Sequence, residues 1–275
     1  MSHLTVACIQ MRSGTDVPAN VADASALIRE AAAAGASLVA TPEMTSLLDR
    51  RPGKLLEQAR SEEEDVALRA FRALAAELGI MLLVGSIAIR VSEEQCANRS
   101  YLIDATGSIR ARYDKVHLFD VDLGPGQVYR ESKRFVAGGR SCLVSLDGWR
   151  LGLSVCYDLR FPEFYRDLAR RGADLLSVPS AFTVPTGEAH WHVLLRARAI
   201  ETGCFVLAPA QHGRHEDGSE TYGHTLVVDP WGRVIAERPA DPGVLLATLD
   251  LDEVGRCRAR LPSLRHDRPW APEDC

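Results

Sequence analysis

The chain has 275 residues, 46% of them apolar and 25% charged, and a formal net charge of −5. This length allows one large domain or two small ones. No linker-like segment interrupts it, so a single domain over 1–275 is expected. The acidic balance argues against a nucleic-acid or anionic-membrane surface, and no apolar run approaches the length of a bilayer span. No basic region followed by an apolar stretch opens the chain, so a cytoplasmic protein is expected. Seven cysteines, at 8, 96, 142, 156, 204, 257 and 275, are scattered without a Cys-x-x-Cys pair. Neither a disulfide framework nor a zinc-ligand spacing is visible in that set, which reads as reduced thiols.

Taken in order, residues 4–10 form a β-rich run, and a helix is expected from Pro18 to near Gly35. A short strand over 37–40 runs directly into Thr41-Pro42-Glu43. Residues 61–78 read as a helix whose acidic first turn, Glu62 to Glu64, complements the helix dipole and is expected to be solvated. Strands are expected over 80–90, 100–104 and 109–114, the last two joined as a hairpin at Thr106-Gly107, with Lys115 at a strand end. Residues 116–139 form a long stretch of little periodicity, containing Gly124-Pro125-Gly126 and Gly138-Gly139. A loop of that length is usually functional or disordered. Two strands then lead to Cys156, followed by a helix over 162–171, a strand over 174–178 and a helix over 188–202. An extended run over 204–208 and strands over 225–228, 234–237 and 244–249 precede a short helix near 252–260. The pattern gives an α/β protein with mixed sheets covered by helices.

The most informative stretch is Gly152-Leu153-Ser154-Val155-Cys156-Tyr157-Asp158-Leu159-Arg160-Phe161-Pro162-Glu163. An apolar run typical of a buried strand ends at a cysteine, and Pro162 and Glu163 suit the start of a helix. Backbone N–H groups at such a turn can face a developing negative charge, and the helix dipole favours a thiolate. The ordinary alternative is a cysteine serving as a small core hydrophobe. Glu43, Lys115 and Cys156 all stand at strand ends, where functional groups of α/β proteins collect. Singly, the three also fit a turn cap, a surface charge and a core thiol.

Three runs carry a family resemblance: Ala40-Thr41-Pro42-Glu43, Arg112-Tyr113-Asp114-Lys115-Val116-His117-Leu118-Phe119, and the cysteine motif from Cys156 to Glu163. Runs at 187–191, 196–202, 222–224 and 229–232 extend it. In this order they resemble the nitrilase, or carbon–nitrogen hydrolase, superfamily over nearly the whole chain. The resemblance implies a four-layer αββα sandwich, commonly paired into homodimers or dimer-based oligomers through the helix after the cysteine and later segments. It also implies a two-step acyl transfer that needs no metal and no organic cofactor. Cys156 would attack an amide carbonyl and form a thioester, with Glu43 as general base, its pKa expected to rise on burial. Lys115 and the backbone N–H of Tyr157 would stabilise the oxyanion. Glu131, in the place of a second family glutamate, would hold Lys115 and Glu43.

Within the superfamily the chain resembles the branch of deaminated-glutathione amidases and ω-amidases. Arg160 is expected to take a substrate carboxylate through its planar fork, the alternative being a salt bridge to Asp158, Glu163 or a neighbouring helix. Phe182 and His190 complete the expected substrate-binding set. Residues 208–215 lean toward the glutathione side, whereas 119–122 and 131–133 look equally like ω-amidases. Many members carry a glutamate where this chain has His192, and no catalytic role is transferred to that position. His190 and His192 leave a helix on different faces, which argues against a shared metal. His212 and His215 are expected to be solvated. The expected activity is hydrolysis of a small-molecule amide, deaminated glutathione, to 2-oxoglutarate and cysteinylglycine. Alternatives are ω-amidase action on 2-oxoglutaramate, another amidase or N-carbamoyl hydrolase, a catalytically silent binding protein, and a redox thiol protein.

Overall fold

The architecture follows from strands that alternate between two different cores. In the computed structural model, which describes residues 3–124 and 126–269, strand His3–Gln10 places Val6 and Cys8 on one side and Ala7 and Ile9 on the other. This period-two alternation lets a sheet bury both faces. The first sheet has seven strands. Its main order is Gly243–Asp250, His3–Gln10, Leu38–Ala40, Met81–Arg90, Cys96–Ile103 and Ile109–Asp114, and Phe135–Val136 pairs with Cys96–Ile103. The second sheet has six, in the order Val234–Arg238, Thr225–Val228, Phe205–Ala208, Leu175–Ser177, Trp149–Leu153 and Cys142–Leu146. Each sheet has three parallel strands at its centre, and its remaining main-path pairs are antiparallel.

The facing sides of the sheets share one core, in which Val6, Leu38 and Leu83 join Leu151, Leu175 and Phe205. Helices Val17–Ala33 and Val66–Leu78 cover the outer face of the first sheet through Ile28, Phe71 and Leu74. Helices Pro162–Arg170 and Val184–Thr202 extend the shared core on the second sheet through Tyr165, Leu168, Trp191 and Leu195. The result is the four-layer αββα sandwich.

Several sequence expectations are corrected. The third helix begins at Val66 with Asp65 as its N-cap, so Glu62 precedes it. Glu62 is not a solvated helix start: it ion-pairs with Arg99 and Arg112 and accepts a hydrogen bond from the Tyr101 hydroxyl. His215 is buried, its Nδ1 2.8 Å from the Ser13 carbonyl and its Nε2 2.7 Å from the Thr221 hydroxyl, so it is not a solvated loop histidine. The helix expected from Glu188 starts at Val184, a turn earlier. Helix Lys54–Gln58 and the hairpin of His212–Arg214 with Glu220–Tyr222 were not anticipated. The 116–139 stretch contains a hairpin, Asp120–Asp122 with Val128–Arg130, then a 3-10 turn, Glu131–Lys133. Pro125 and Cys275, named in the sequence analysis, lie outside the described residues.

Candidate active site

Glu43 follows strand Leu38–Ala40 in a turn pressed against Gly85. A Cβ at residue 85 would meet the Thr41 carbonyl at 2.1 Å and that of Pro42 at 2.4 Å, so only glycine lets the turn pass this close. Lys115 leaves strand Ile109–Asp114, and its backbone N–H donates to the Asn98 carbonyl (3.0 Å). Gly138 fixes the following chain in the same way, since a Cβ there would lie 2.1 Å from the Asp114 carbonyl. Glu131 enters from the 3-10 turn at the end of the folded loop.

These side chains meet in a dense buried network. Lys115 Nζ donates to Glu43 Oε1 at 2.9 Å and to Glu131 Oε1 and Oε2 at 3.0 and 2.9 Å. Asn98 Nδ2 bridges the two carboxylates, 2.9 Å from Glu43 Oε1 and 3.2 Å from Glu131 Oε1. The backbone N–H of Ala181 donates to Glu43 Oε2 at 2.9 Å, and that of Phe119 donates to Glu131 Oε2 at 2.6 Å. Lys115, Asn98 and Glu43 are all buried. A lysine so placed keeps its charge only because two carboxylates compensate its desolvation.

Cys156 begins a 3-10 turn, Cys156–Arg160, and the α-helix starts only at Pro162. Its φ of +49° is in the left-handed region, which a non-glycine residue occupies at a cost of about 1–3 kcal/mol. Asp158 holds that backbone. Its Oδ2 accepts from the Val155 N–H at 2.8 Å and the Tyr113 hydroxyl at 2.7 Å, and its Oδ1 accepts from the His117 N–H at 3.0 Å. The Cys156 N–H donates to the Pro179 carbonyl at 3.0 Å.

The electrostatics differ from the sequence expectation in two respects. Burial pushes the Cys156 thiol upward and the charge of Glu43 adds to this, outweighing the opposing Lys115. Burial and the Glu43 charge thus favour the thiol over the thiolate in the resting site. Burial also acts to raise Glu43, but the charge and hydrogen bond of Lys115, with bonds from Cys156 and Asn98, hold it below its ordinary value. Lys115 is desolvated too, yet Glu131, Glu43 and Cys156 raise it well above the usual lysine value. The site therefore sets a proton donor, the Cys156 thiol, directly against its acceptor, the Glu43 carboxylate, beside the charged Lys115.

The network lies on the wall of a cavity of about 680 Å³, within the range of small-molecule sites. Phe119, Tyr129, Tyr157 and Phe182 supply aromatic surface, and Arg50, Arg134 and Arg160 supply positive charge. Arg160 lies over the rings of Tyr157 and Phe182, at 5.8 and 5.5 Å, and forms no salt bridge among the described residues. His190 is exposed and stands off the cavity wall, its Nδ1 3.2 Å from Arg160 Nη1. Asn98 escaped the sequence reading; its only signal was a polar residue in an otherwise apolar strand start, Cys96-Ala97-Asn98. Away from the cavity wall, His192, His224 and Glu237 bring ligand-type atoms within 4.8 Å of one another. Both imidazoles contact the same carboxylate oxygen, at 2.9 and 2.6 Å, so the group is already a closed polar cluster.

Residues 5–259 match the family described as carbon-nitrogen hydrolase. The chain belongs to that family and is a carbon–nitrogen hydrolase. It is 41% identical over 270 residues to a deaminated glutathione amidase of Synechocystis, covering 97% of this chain and 98% of the relative. The crystal structure of the C. elegans NitFhit protein superposes with a TM-score of 0.91 at 36% identity, over 98% of this chain and 66% of that one. A Nesterenkonia amidase mutant carrying the acetamide moiety of fluoroacetamide on its active-site cysteine is similar at 30% identity and a TM-score of 0.83. That match spans 97% of this chain and 94% of the amidase.

Proposed function

We propose that the protein is an amidase that hydrolyses deaminated glutathione through a thioester on Cys156. The observation that carries this reading is the buried contact of Glu43, Lys115 and Glu131 beside the Cys156 thiol at the cavity wall. Glu43 takes the thiol proton as sulfur attacks the amide carbonyl, then gives it to the departing amine. Lys115 and the Tyr157 N–H stabilise the oxyanion, a donor of this kind being worth ~3–4 kcal/mol. Water then attacks the thioester with Glu43 again as base. Glu131 positions Lys115, with Asn98 bridging the two carboxylates. Arg160 takes the carboxylate beside the substrate's keto group, and Phe182 packs against the acyl chain. His190 orients Arg160 from outside. No metal or organic cofactor enters these steps.

The name of the Synechocystis relative supports this substrate. The single hydrolase domain is taken to act in the cytoplasm as a homodimer. Exposed Val193 and Ile200 on helix Val184–Thr202 support a paired surface. No helix among the described residues is long and apolar enough to cross a membrane.

The test is to incubate the protein with deaminated glutathione and, separately, with 2-oxoglutaramate, each beside Cys156→Ala, following products by mass spectrometry. Cys156-dependent release of cysteinylglycine at the higher kcat/KM is expected. Faster ammonia release from 2-oxoglutaramate would make the protein an ω-amidase, and no Cys156-dependent turnover of either would overturn the substrate.

A further inference from the structure

The cavity carries more positive charge than the chemistry above uses. Arg50 and Arg134 both line it, and neither has a carboxylate within ion-pair distance among the described residues. The nearby acids are engaged elsewhere. Asp49 forms a 2.6 Å ion pair with Arg51, Glu131 is bound to Lys115, and Asp217 accepts from the backbone N–H groups of Arg50 and Ser219. Each guanidinium makes one long bond to a carbonyl: Arg50 Nη2 to Ala181 at 3.4 Å and Arg134 Nη1 to Asp49 at 3.3 Å. A guanidinium has five donors, so most of theirs are left free. Arg50 also lies over the Tyr129 ring, 5.7 Å from its centroid, which fixes its plane. Burial and the neighbouring charge of Arg50 together hold Arg134 below the usual guanidinium value. Two partly buried like charges with unused donors are unfavourable unless an anion joins them.

We propose that Arg50 and Arg134 form a second anion subsite, which binds the carboxylate at the leaving-amine end of the substrate. This rests on the deaminated-glutathione reading and deepens it. Such a substrate has two carboxylates, one beside the keto group and one at the C-terminal glycine. Arg160, on the turn after Cys156, serves the first; Arg50 and Arg134, from the chain after Glu43 and after Glu131, serve the second. 2-Oxoglutaramate has no carboxylate on its leaving group, which is ammonia. The pair therefore acts as a specificity determinant: it favours amides whose amine portion is anionic and gives nothing to small primary amides.

The experiment compares deaminated glutathione with the same compound ending in glycinamide, on wild type, Arg50→Gln, Arg134→Gln and Arg134→Lys. One charge-assisted contact predicts that wild type prefers the acid form by about tenfold or more in kcat/KM, mainly through KM. Either glutamine variant should bring that ratio close to one, and Arg134→Lys should restore part of it. Because the ratio is taken within one protein sample, a partly misfolded variant does not mimic the result. Equal turnover of the two forms by wild type, or a ratio the variants leave intact, overturns the subsite while the amidase reading stands. If neither form is turned over, binding to Cys156→Ala is measured by calorimetry. Tighter binding of the acid form that Arg134→Gln removes upholds the subsite without the substrate reading, and equal or absent binding overturns both.

Discussion

The two sheets contribute different halves of the site and hold them by different means. The first sheet presents the ionised groups: Glu43 after Leu38–Ala40, Asn98 on Cys96–Ile103 and Lys115 after Ile109–Asp114. These are fixed to one another and to Glu131 by side-chain bonds of 2.9–3.2 Å. The second sheet presents Cys156 and the Ala181 N–H, and there the backbone is what is held, by Asp158 and the Pro179 carbonyl. Charge compensation thus stabilises one half and conformational strain is restrained in the other. A substitution in the first half should therefore disturb protonation and stability together, and one in the second should disturb geometry and stability while leaving protonation unmoved.

Lys115→Met should have the largest combined effect. It removes the oxyanion donor, for a kcat loss of roughly 10²–10³-fold. It also leaves two buried carboxylates facing each other, at a cost of about 3–5 kcal/mol in unfolding free energy. Urea denaturation beside kinetics checks both; a variant of unchanged stability would contradict the picture of mutual compensation.

Glu43→Gln separates proton transfer from sulfur reactivity. Amidase activity should fall by roughly 10²–10⁴-fold with loss of the base. The Cys156 thiol should become more acidic, because the charge of Glu43 helps raise it while Lys115 lowers it. Alkylation by iodoacetamide at neutral pH should therefore speed up as hydrolysis slows. Loss of both together would show that Glu43 acts by supporting the turn.

Asp158→Asn tests the other half. An amide cannot accept from Val155, Tyr113 and His117 with both of its heavy atoms, so about 1–3 kcal/mol of stability should be lost. Activity should drop through kcat, with the pH profile unmoved, since no charge in the proton-transfer set has changed. A shifted profile would merge the two halves.

The smallest effect is that of pH on the intact protein. Glu43 lies below its ordinary 4.5, so its contribution to stability is complete above pH 4.5 and lost as pH falls through the depressed folded value. Lys115 lies above 10.5, so its contribution is complete below pH 10.5 and lost as pH rises through the raised value. Thermal unfolding should show no transition from this pair between those limits.

The sequence made the chemistry more legible than its physical setting. Glu43, Lys115, Glu131 and Cys156 could be named because strand ends and three ordered motifs mark them. The layers were legible because alternation such as Val6 and Cys8 against Ala7 and Ile9 is local. The depressed pKa of Glu43 was not legible, because burial and the Lys115 charge act in opposite directions and only geometry sets their balance. Asn98, the pairing of Glu62 with Arg99 and Arg112, and the contact of buried His215 with Ser13 depend on partners between 33 and 202 positions away for the same reason. Arg50 and Arg134 carry no local signal at all; their interest comes from the acids nearby being already taken.

The most direct test of the account is to quench wild-type protein with acid during turnover of deaminated glutathione and map the acyl adduct by mass spectrometry. A 2-oxoglutaryl group on the peptide containing Cys156, absent from Cys156→Ala, is the expected result. Cysteinylglycine released at full rate by Cys156→Ala, or an adduct on another residue, would contradict it.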